Sequence, residues 1–373
     1  MERRRFLQLS AGAVASAGAM GLAAQLLRAQ NAPVVSGTPG KLTLRQAAAA
    51  RGTLVGTAVG RGNVDVPAMA ALIADQYNIV VCENDMKWFA TQPDQDRFDF
   101  TYSDELVAFA QAHDQRIRGH NLCWHNQNPK WLADVLTPQN AAKILEDHVR
   151  TVVTHLAGKI QSWDVVNEAV LPSDGRKDSL RNTIWLQALG PDYLELAYRT
   201  AAAADPAARL TYNDYSVERD NPEHALRRKK ILELLRWFRQ KNIPLHAVGI
   251  QSHLTGSLVP ATWKGLNRFL DQVHDLGLEV YITEMDVEDL ELPSDISARD
   301  KLVAQMYGGY LEAVLKHPAV KAVLTWGFTD PLSWLAQSRR QRTDGLPKRT
   351  LPFDADLHPK PAFNAMIDAL QKG

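Results

Sequence analysis

Two glutamates each close a short run rich in β-branched residues: Glu168 in Trp163-Asp164-Val165-Val166-Asn167-Glu168, and Glu284 in Tyr281-Ile282-Thr283-Glu284-Met285-Asp286. A parallel strand delivers the side chain at its end to the mouth of a barrel. Two carboxyls delivered this way are the equipment for cutting a glycosidic bond. One gives a proton to the departing oxygen, and the other meets the oxocarbenium-like carbon from the opposite face. A single strand-end acid would serve equally well as an ion-pair or capping partner. The recurrence of the pattern, with a polar companion beside each glutamate (Asn167 and Asp286), favours the catalytic reading.

The elements that must position this pair recur along the whole chain. Eight β-like runs, at residues 53–59, 79–83, 116–122, 160–167, 209–213, 246–252, 279–283 and 320–326, alternate with segments whose apolar residues fall every three to four positions. Those segments are 66–76, 103–113, 140–156, 192–204, 222–240, 260–276 and 299–317, and 364–370 could close the outer ring. Strand–helix alternation repeated eight times predicts an α/β fold, a single (β/α)8 TIM barrel over residues 41–373. In such a barrel functional groups gather at the C-terminal strand ends. The polar clusters of this chain fall there: Glu83-Asn84-Asp85-Met86-Lys87-Trp88, Gly119-His120-Asn121-Leu122-Cys123-Trp124-His125, Asn213-Asp214-Tyr215, Gln251-Ser252-His253 and Thr325-Trp326-Gly327.

A chain of 373 residues that is 45% hydrophobic can bury such a core as one domain. Lys+Arg and Asp+Glu are both 42, so no basic field exists to gather nucleic acid or anionic lipid, and a neutral polymer is the easier partner. Nine Trp offer flat faces suited to sugars. The two cysteines, Cys82 and Cys123, exclude a disulfide scaffold and read as core thiols on the helix-facing side of the strands; neither has metal-ligand spacing. Arg3-Arg4-Arg5-Phe6-Leu7-Gln8, an Ala/Gly-rich stretch and Arg28-Ala29 read as a twin-arginine signal over residues 1–30, and 31–40 as a linker. Export to the periplasm or medium is therefore expected, with no membrane attachment once the signal is removed. Residues 337–349, with five Lys or Arg, read as a solvated face.

From about Leu54 to Phe363 the chain resembles the family 10 glycoside hydrolases, mostly endo-β-1,4-xylanases. Beyond the two glutamate segments and the clusters above, the likeness includes Asp174-Gly175 with Leu180-Arg181, Ala204-Asp205-Pro206 leading to Tyr212-Asn213-Asp214-Tyr215, and Phe353-Asp354 followed by Lys360-Pro361-Ala362-Phe363. The resemblance implies that Glu168 is the acid/base and Glu284 the nucleophile of a retaining double displacement, their carboxyls about 5–5.5 Å apart. It implies that Asn167 binds the sugar 2-hydroxyl, and that His253 holds the nucleophile with Asp286 behind it. That pairing suits a strand, where Glu284 and Asp286 share a side by period two. Lys87 and His120 would bind the sugar at the cleavage site, Glu83 and Asn84 the next sugar on the non-reducing side, and Trp326 and Trp334 would form apolar walls. Trp124, Tyr215 and Gln251 complete the expected substrate-binding set, whereas Trp88 and His125 are expected to brace loops. The implied partner is xylan or xylo-oligosaccharide, acted on by a monomer without cofactor or metal. Asn121 and Cys123 depart from the residues usual inside their motif.

Three rivals differ in class. A retaining β-1,4-glucanase or cellobiosidase would use the same barrel and the same carboxyls. A non-catalytic carbohydrate-binding barrel would require one of the two glutamates to be missing, and both are present. A metal-dependent hydrolase could draw on His120, His125, His253 and Asp286, but the chain has no His-x-His on a strand.

Overall fold

The strands pair in chain order, all parallel, and the last returns to the first. In the computed structural model, which describes residues 42–260 and 262–372, they are β1 (Leu54–Val59), β2 (Ile79–Cys82), β3 (Arg116–Cys123), β4 (Ser162–Asn167), β5 (Arg209–Asp214), β6 (Ala247–Ile250), β7 (Glu279–Glu288) and β8 (Val320–Thr325). Leu54 of β1 registers with Ala322 of β8 and Gly56 with Ile79 of β2, so the sheet closes on itself. Helices Pro67–Gln76, Thr101–Ala112, Ala141–His155, Asp192–Ala204, Pro222–Gln240, Lys264–Asp275, Ile296–Val314 and Pro361–Gln371 follow the eight strands in turn. This is the expected (β/α)8 barrel. The signal and linker expectations, at 1–30 and 31–40, lie outside the described residues.

The pleat divides the apolar residues into two layers. Ala58, Ile79, Val81, Ala247, Tyr281, Ala322 and Leu324 form one cluster, while Val55, Val80, Cys82, Trp163, Val248 and Val280 join the large core that includes the helices. Cys82 and Cys123 are both buried and unpaired.

Three features differ from the sequence expectation. A helix at Leu44–Arg51 precedes β1, its capping box formed by Thr43 and Gln46; its Ala-rich interior hides it from an apolar-period search, but Thr-x-x-Gln is the capping signature. The sixth run stops at Ile250 because Ser252 turns to φ +63°, after which His253–Thr255 pairs with the far end of β7. β7 itself runs five residues beyond Thr283, where polar 284, 286 and 288 still alternate with apolar 285 and 287.

That extension also divides 337–349: Arg339 and Arg340 are exposed, as a solvated face requires, while Arg342, Lys348 and Arg349 turn inward. Glu288 and Asp289 at the end of β7 need cations over them, and the loop supplies them. Arg342 is buried and donates to the Asp289 and Leu292 carbonyls. Lys348 Nζ reaches Glu288 at 3.2 Å, and Arg349 holds Asp300 through two bonds of 2.7 Å.

A second buried pair ties the last helix to the barrel. Lys360 Nζ lies 2.8 and 2.9 Å from the two oxygens of Asp330, with both side chains buried. Burial pushes Asp330 up to about 6 against the pull of Lys360. Lys360→Ala is expected to lower unfolding free energy by about 3 kcal/mol at neutral pH, since it strands a buried carboxylate. The loss should shrink toward pH 5, where the carboxyl can take a proton instead; denaturant midpoints at the two pH values check both statements.

Candidate active site

β4 brings Asp164 and Asn167 into the same interior although they are three residues apart, a spacing a regular strand would send to opposite faces. The register against β5 shifts between Asp164 and Val166, and this bulge re-aims the strand end. Glu168 follows at φ +58°, a left-handed conformation that costs a non-glycine residue about 1–3 kcal/mol. Two contacts hold it there. The Glu168 N–H donates to the Asn213 carbonyl at 2.8 Å, and Arg181 Nε donates to the Glu168 carbonyl at 2.8 Å. The result places Asn167 and Glu168, neighbours in sequence, side by side in the cleft, with Asn167 Nδ2 3.3 Å from Glu168 Oε1.

Across the mouth, β7 presents Glu284. Asn213, from the end of β5, joins the two sides: its amide nitrogen donates to Asn167 Oδ1 at 2.9 Å and to Glu284 Oε1 at 2.7 Å. Its oxygen accepts from the Thr283 hydroxyl at 2.7 Å, and Gly249 leaves the room, since a Cβ there would fall 2.2 Å from that oxygen. Gln251 donates to Glu168 Oε1 at 2.9 Å. On the other flank His253 bridges two carboxylates, with Nε2 3.3 Å from Glu284 and Nδ1 3.0 Å from Asp286. Asp286 is held in turn by the Trp334 indole N–H at 2.7 Å.

These surroundings push the two glutamates apart in proton affinity. Burial raises Glu168, and the nearby charges of Asp214 and Glu284 add to the rise, while the Gln251 bond works against it. Burial acts on Glu284 too, but hydrogen bonds from His253 and Asn213 and the electrostatic influence of the neighbouring His120 and His253 outweigh it, bringing Glu284 down to about 2. His253 is raised despite its burial, because Asp286 and Glu284 both stabilise the imidazolium. The pair therefore stands with Glu168 the better proton holder and Glu284 the ionised partner.

The non-reducing-side candidates form one connected patch. Lys87 is buried and donates to Asn84 at 3.0 Å and to Gln127 at 2.7 Å, its ammonium lying over the rings of Trp124 and Trp326 at 5.2 and 5.9 Å. Burial lowers Lys87, with Glu284, Glu83 and Glu168 opposing the drop. Burial also raises Glu83. His120 binds Asp164 through Nδ1 at 2.9 Å and meets Trp326 edge-on. Trp326 is almost covered, whereas Trp334 is 42% exposed and stands over His253. At the opposite end Tyr215 accepts from Arg181 at 2.8 Å, and its ring lies 3.8 Å from the Arg227 guanidinium carbon.

All the sequence-expected site residues thus meet in one cleft, and four further residues with them. Asn213, Gln127, Asp164 and Arg181 had no assigned part. Asn213 stands at the end of β5 and Gln127 in the loop after β3, whereas Asp164 lies in the middle of β4 and Arg181 in the long loop after it, and only the contacts tell which one bridges, braces or orients. His125, expected to support a loop rather than touch the sugar, has its Nδ1 3.7 Å from Glu168 Oε2, beyond hydrogen-bond reach, and burial together with the Arg181 charge brings it down to about 4. Trp88 does brace the fold, stacked on His148 and Trp185.

A closed barrel whose mouth holds two carboxyls of opposed proton affinity, linked by amides and flanked by tryptophans, defines a glycoside hydrolase. The comparison with known proteins makes this particular: the chain belongs to glycosyl hydrolase family 10, whose family model matches residues 43–369. It is 35% identical over 298 residues to endo-1,4-beta-xylanase B of Thermotoga neapolitana, covering 80% of this chain and 82% of that protein. The structure of native xylanase 10B from Thermotoga maritima superposes with a TM-score of 0.81 at 34% identity, covering 89% of this chain and 98% of that one. Xylanase 10B from Thermotoga petrophila, solved in complex with xylobiose, gives 0.81 at 33% identity over 90% and 99% of the two chains.

Proposed function

We propose that the protein is an endo-β-1,4-xylanase that cleaves xylan by double displacement with retention. The observation that carries this reading is the Glu168–Asn167–Asn213–Glu284 array, in which one carboxyl is raised and the other brought down to about 2. Glu284 attacks the anomeric carbon while Glu168 protonates the leaving oxygen; Glu168 then removes a proton from the water that releases the sugar. His253, fixed by Asp286, keeps Glu284 ionised. Asn167 holds the 2-hydroxyl of the sugar under attack, Lys87 and His120 its other hydroxyls, and Glu83 and Asn84 the next sugar. Gln251 orients Glu168; Trp124, Trp326 and Trp334 wall the cleft and Tyr215 lines its leaving-group side. The relatives named as xylanases, and the xylobiose found in one of them, support xylose polymers as substrate.

A product profile on linear xylan, a decorated xylan and soluble cellulose tests this. Internal cuts in xylan with little release from cellulose are expected; comparable kcat/KM on cellulose would favour a glucanase, and no release from any polymer would count against catalysis altogether. Trp334→Ala should lower the preference for xylo- over cello-configured aryl glycosides, an effect read as a ratio of kcat/KM values. An unchanged ratio would move the discrimination elsewhere.

The pH dependence follows from the opposed carboxyls. Glu284 must be ionised, so activity rises as pH passes its lowered value of about 2; Glu168 must be protonated, so activity falls as pH climbs through its raised one. In Glu168→Ala, kcat/KM for an aryl xylobioside with a good leaving group should lose the basic limb, because that substrate needs no acid. Persistence of the limb would assign it to another group.

Export is inferred from Arg3-Arg4 and the weakly apolar stretch behind them. Lys in place of both arginines should strand activity inside the cell.

A further inference from the structure

The outer wall of the barrel carries a second feature that the catalytic reading does not use. Helices Pro222–Gln240 and Lys264–Asp275, which follow β5 and β6, leave a groove of about 310 Å³ between them. Leu232 and Phe269 close it from below, both buried, and its edges are cationic: Lys229 and Arg236 on the first helix, two turns apart and so on one face, and Arg268 on the second. All three are exposed, and none pairs with an acid among the described residues. Arg228 is buried at the upper end, its guanidinium donating to the Val217 and Arg219 carbonyls at 2.7 Å. Gly265 is required there, since a Cβ would fall 2.4 Å from Arg228 Nη2. Asp220 stands at that upper end, accepting from the Gly265 N–H at 2.9 Å and 3.5 Å from Arg228, but no acidic side chain is among those lining the groove beside Lys229, Arg236 and Arg268. In a chain whose formal charges cancel, this is a local excess of positive charge.

Both helices start at the C-terminal ends of their strands, the end where the cleft opens. The groove therefore begins beneath the rim formed by the loops after β5 and β6, on the side of Tyr215. We infer that the groove is a secondary binding site for carboxylate-bearing sugar branches of the polymer, a uronosyl unit held by its carboxylate among Lys229, Arg236 and Arg268. The inference rests on the xylan reading for its choice of polymer, and on the groove alone for its choice of charge.

The test is electrophoresis of Glu284→Gln protein, which holds polymer without consuming it, through gels containing glucuronoxylan or the same polymer with its carboxyls reduced. Stronger retardation by the acidic polymer is expected. Adding Lys229→Ala and Arg268→Ala should weaken that excess by about five- to tenfold, the scale of two exposed ion pairs, and so should about 0.5 M salt, which screens them. In the otherwise wild-type enzyme the same two substitutions should lower kcat/KM on glucuronoxylan relative to the reduced polymer and leave xylohexaose cleavage unchanged. An excess that survives the substitutions, or equal retardation by both polymers, would overturn the proposal. Failure of the wild-type enzyme to cut xylohexaose would instead sink the xylanase reading, while the gels would still report on the groove.

Discussion

Glu284→Ala is expected to abolish turnover of both xylan and an activated aryl xylobioside, with kcat falling by roughly 10⁴-fold or more, the scale seen when a nucleophile is removed from an intact site. The substrate's leaving group should make no difference, because every leaving group departs against the attack of this same carboxylate. The structure supplies the reason for expecting a strong nucleophile: Asn213 at 2.7 Å and His253 at 3.3 Å hold the carboxylate ionised and aimed. Removing it leaves His253 with Asp286 alone, so the fold should survive and substrate should still bind. Near-normal activity on the aryl substrate would contradict the role proposed for Glu284.

Glu168→Ala should behave differently on the two substrates. On xylan, whose leaving group is a poor one, loss of the acid should cost about 10²–10⁴-fold. On the activated xylobioside the first step needs no proton, so the glycosyl-enzyme should form and then stall for want of a base. Azide, which attacks without one, should restore turnover and yield a β-glycosyl azide. An α-azide would reverse the proposed roles. His125 and Arg181, 3.7 and 3.6 Å from Glu168 Oε2, stay in place around the space the side chain leaves, on the face where the azide must enter.

The barrel and its two glutamates are legible in the sequence because they depend on local pattern. Eight runs at strand period, separated by helical period, leave one architecture, and strand ends must then face one mouth. Period two correctly sets Glu284 and Asp286 on one side, and both reach His253. The same rule fails at Asn167 and Glu168, which period two would separate. A bulge in β4 and a left-handed residue override it, and no residue type there announces either. Asn213 illustrates a second limit: its polar strand-end position is visible, but its bridging of two carboxyls is a contact between strands far apart in the chain. The basic loop at 337–349 shows a third. Composition reads it as solvated, which holds for Arg339 and Arg340, while Lys348 turns in to Glu288, an acid that β7 carries beyond its expected end.

The measurement that bears most directly on the paired-carboxyl mechanism is the mass of the enzyme after exposure to an activated 2-deoxy-2-fluoro-xylobioside, whose fluorine slows both steps while its good leaving group keeps attack faster than release. One xylobiosyl unit should accumulate on the protein and map, after proteolysis, to the peptide containing Glu284. No accumulation on an active enzyme, or a label on any other residue, would contradict retention through Glu284.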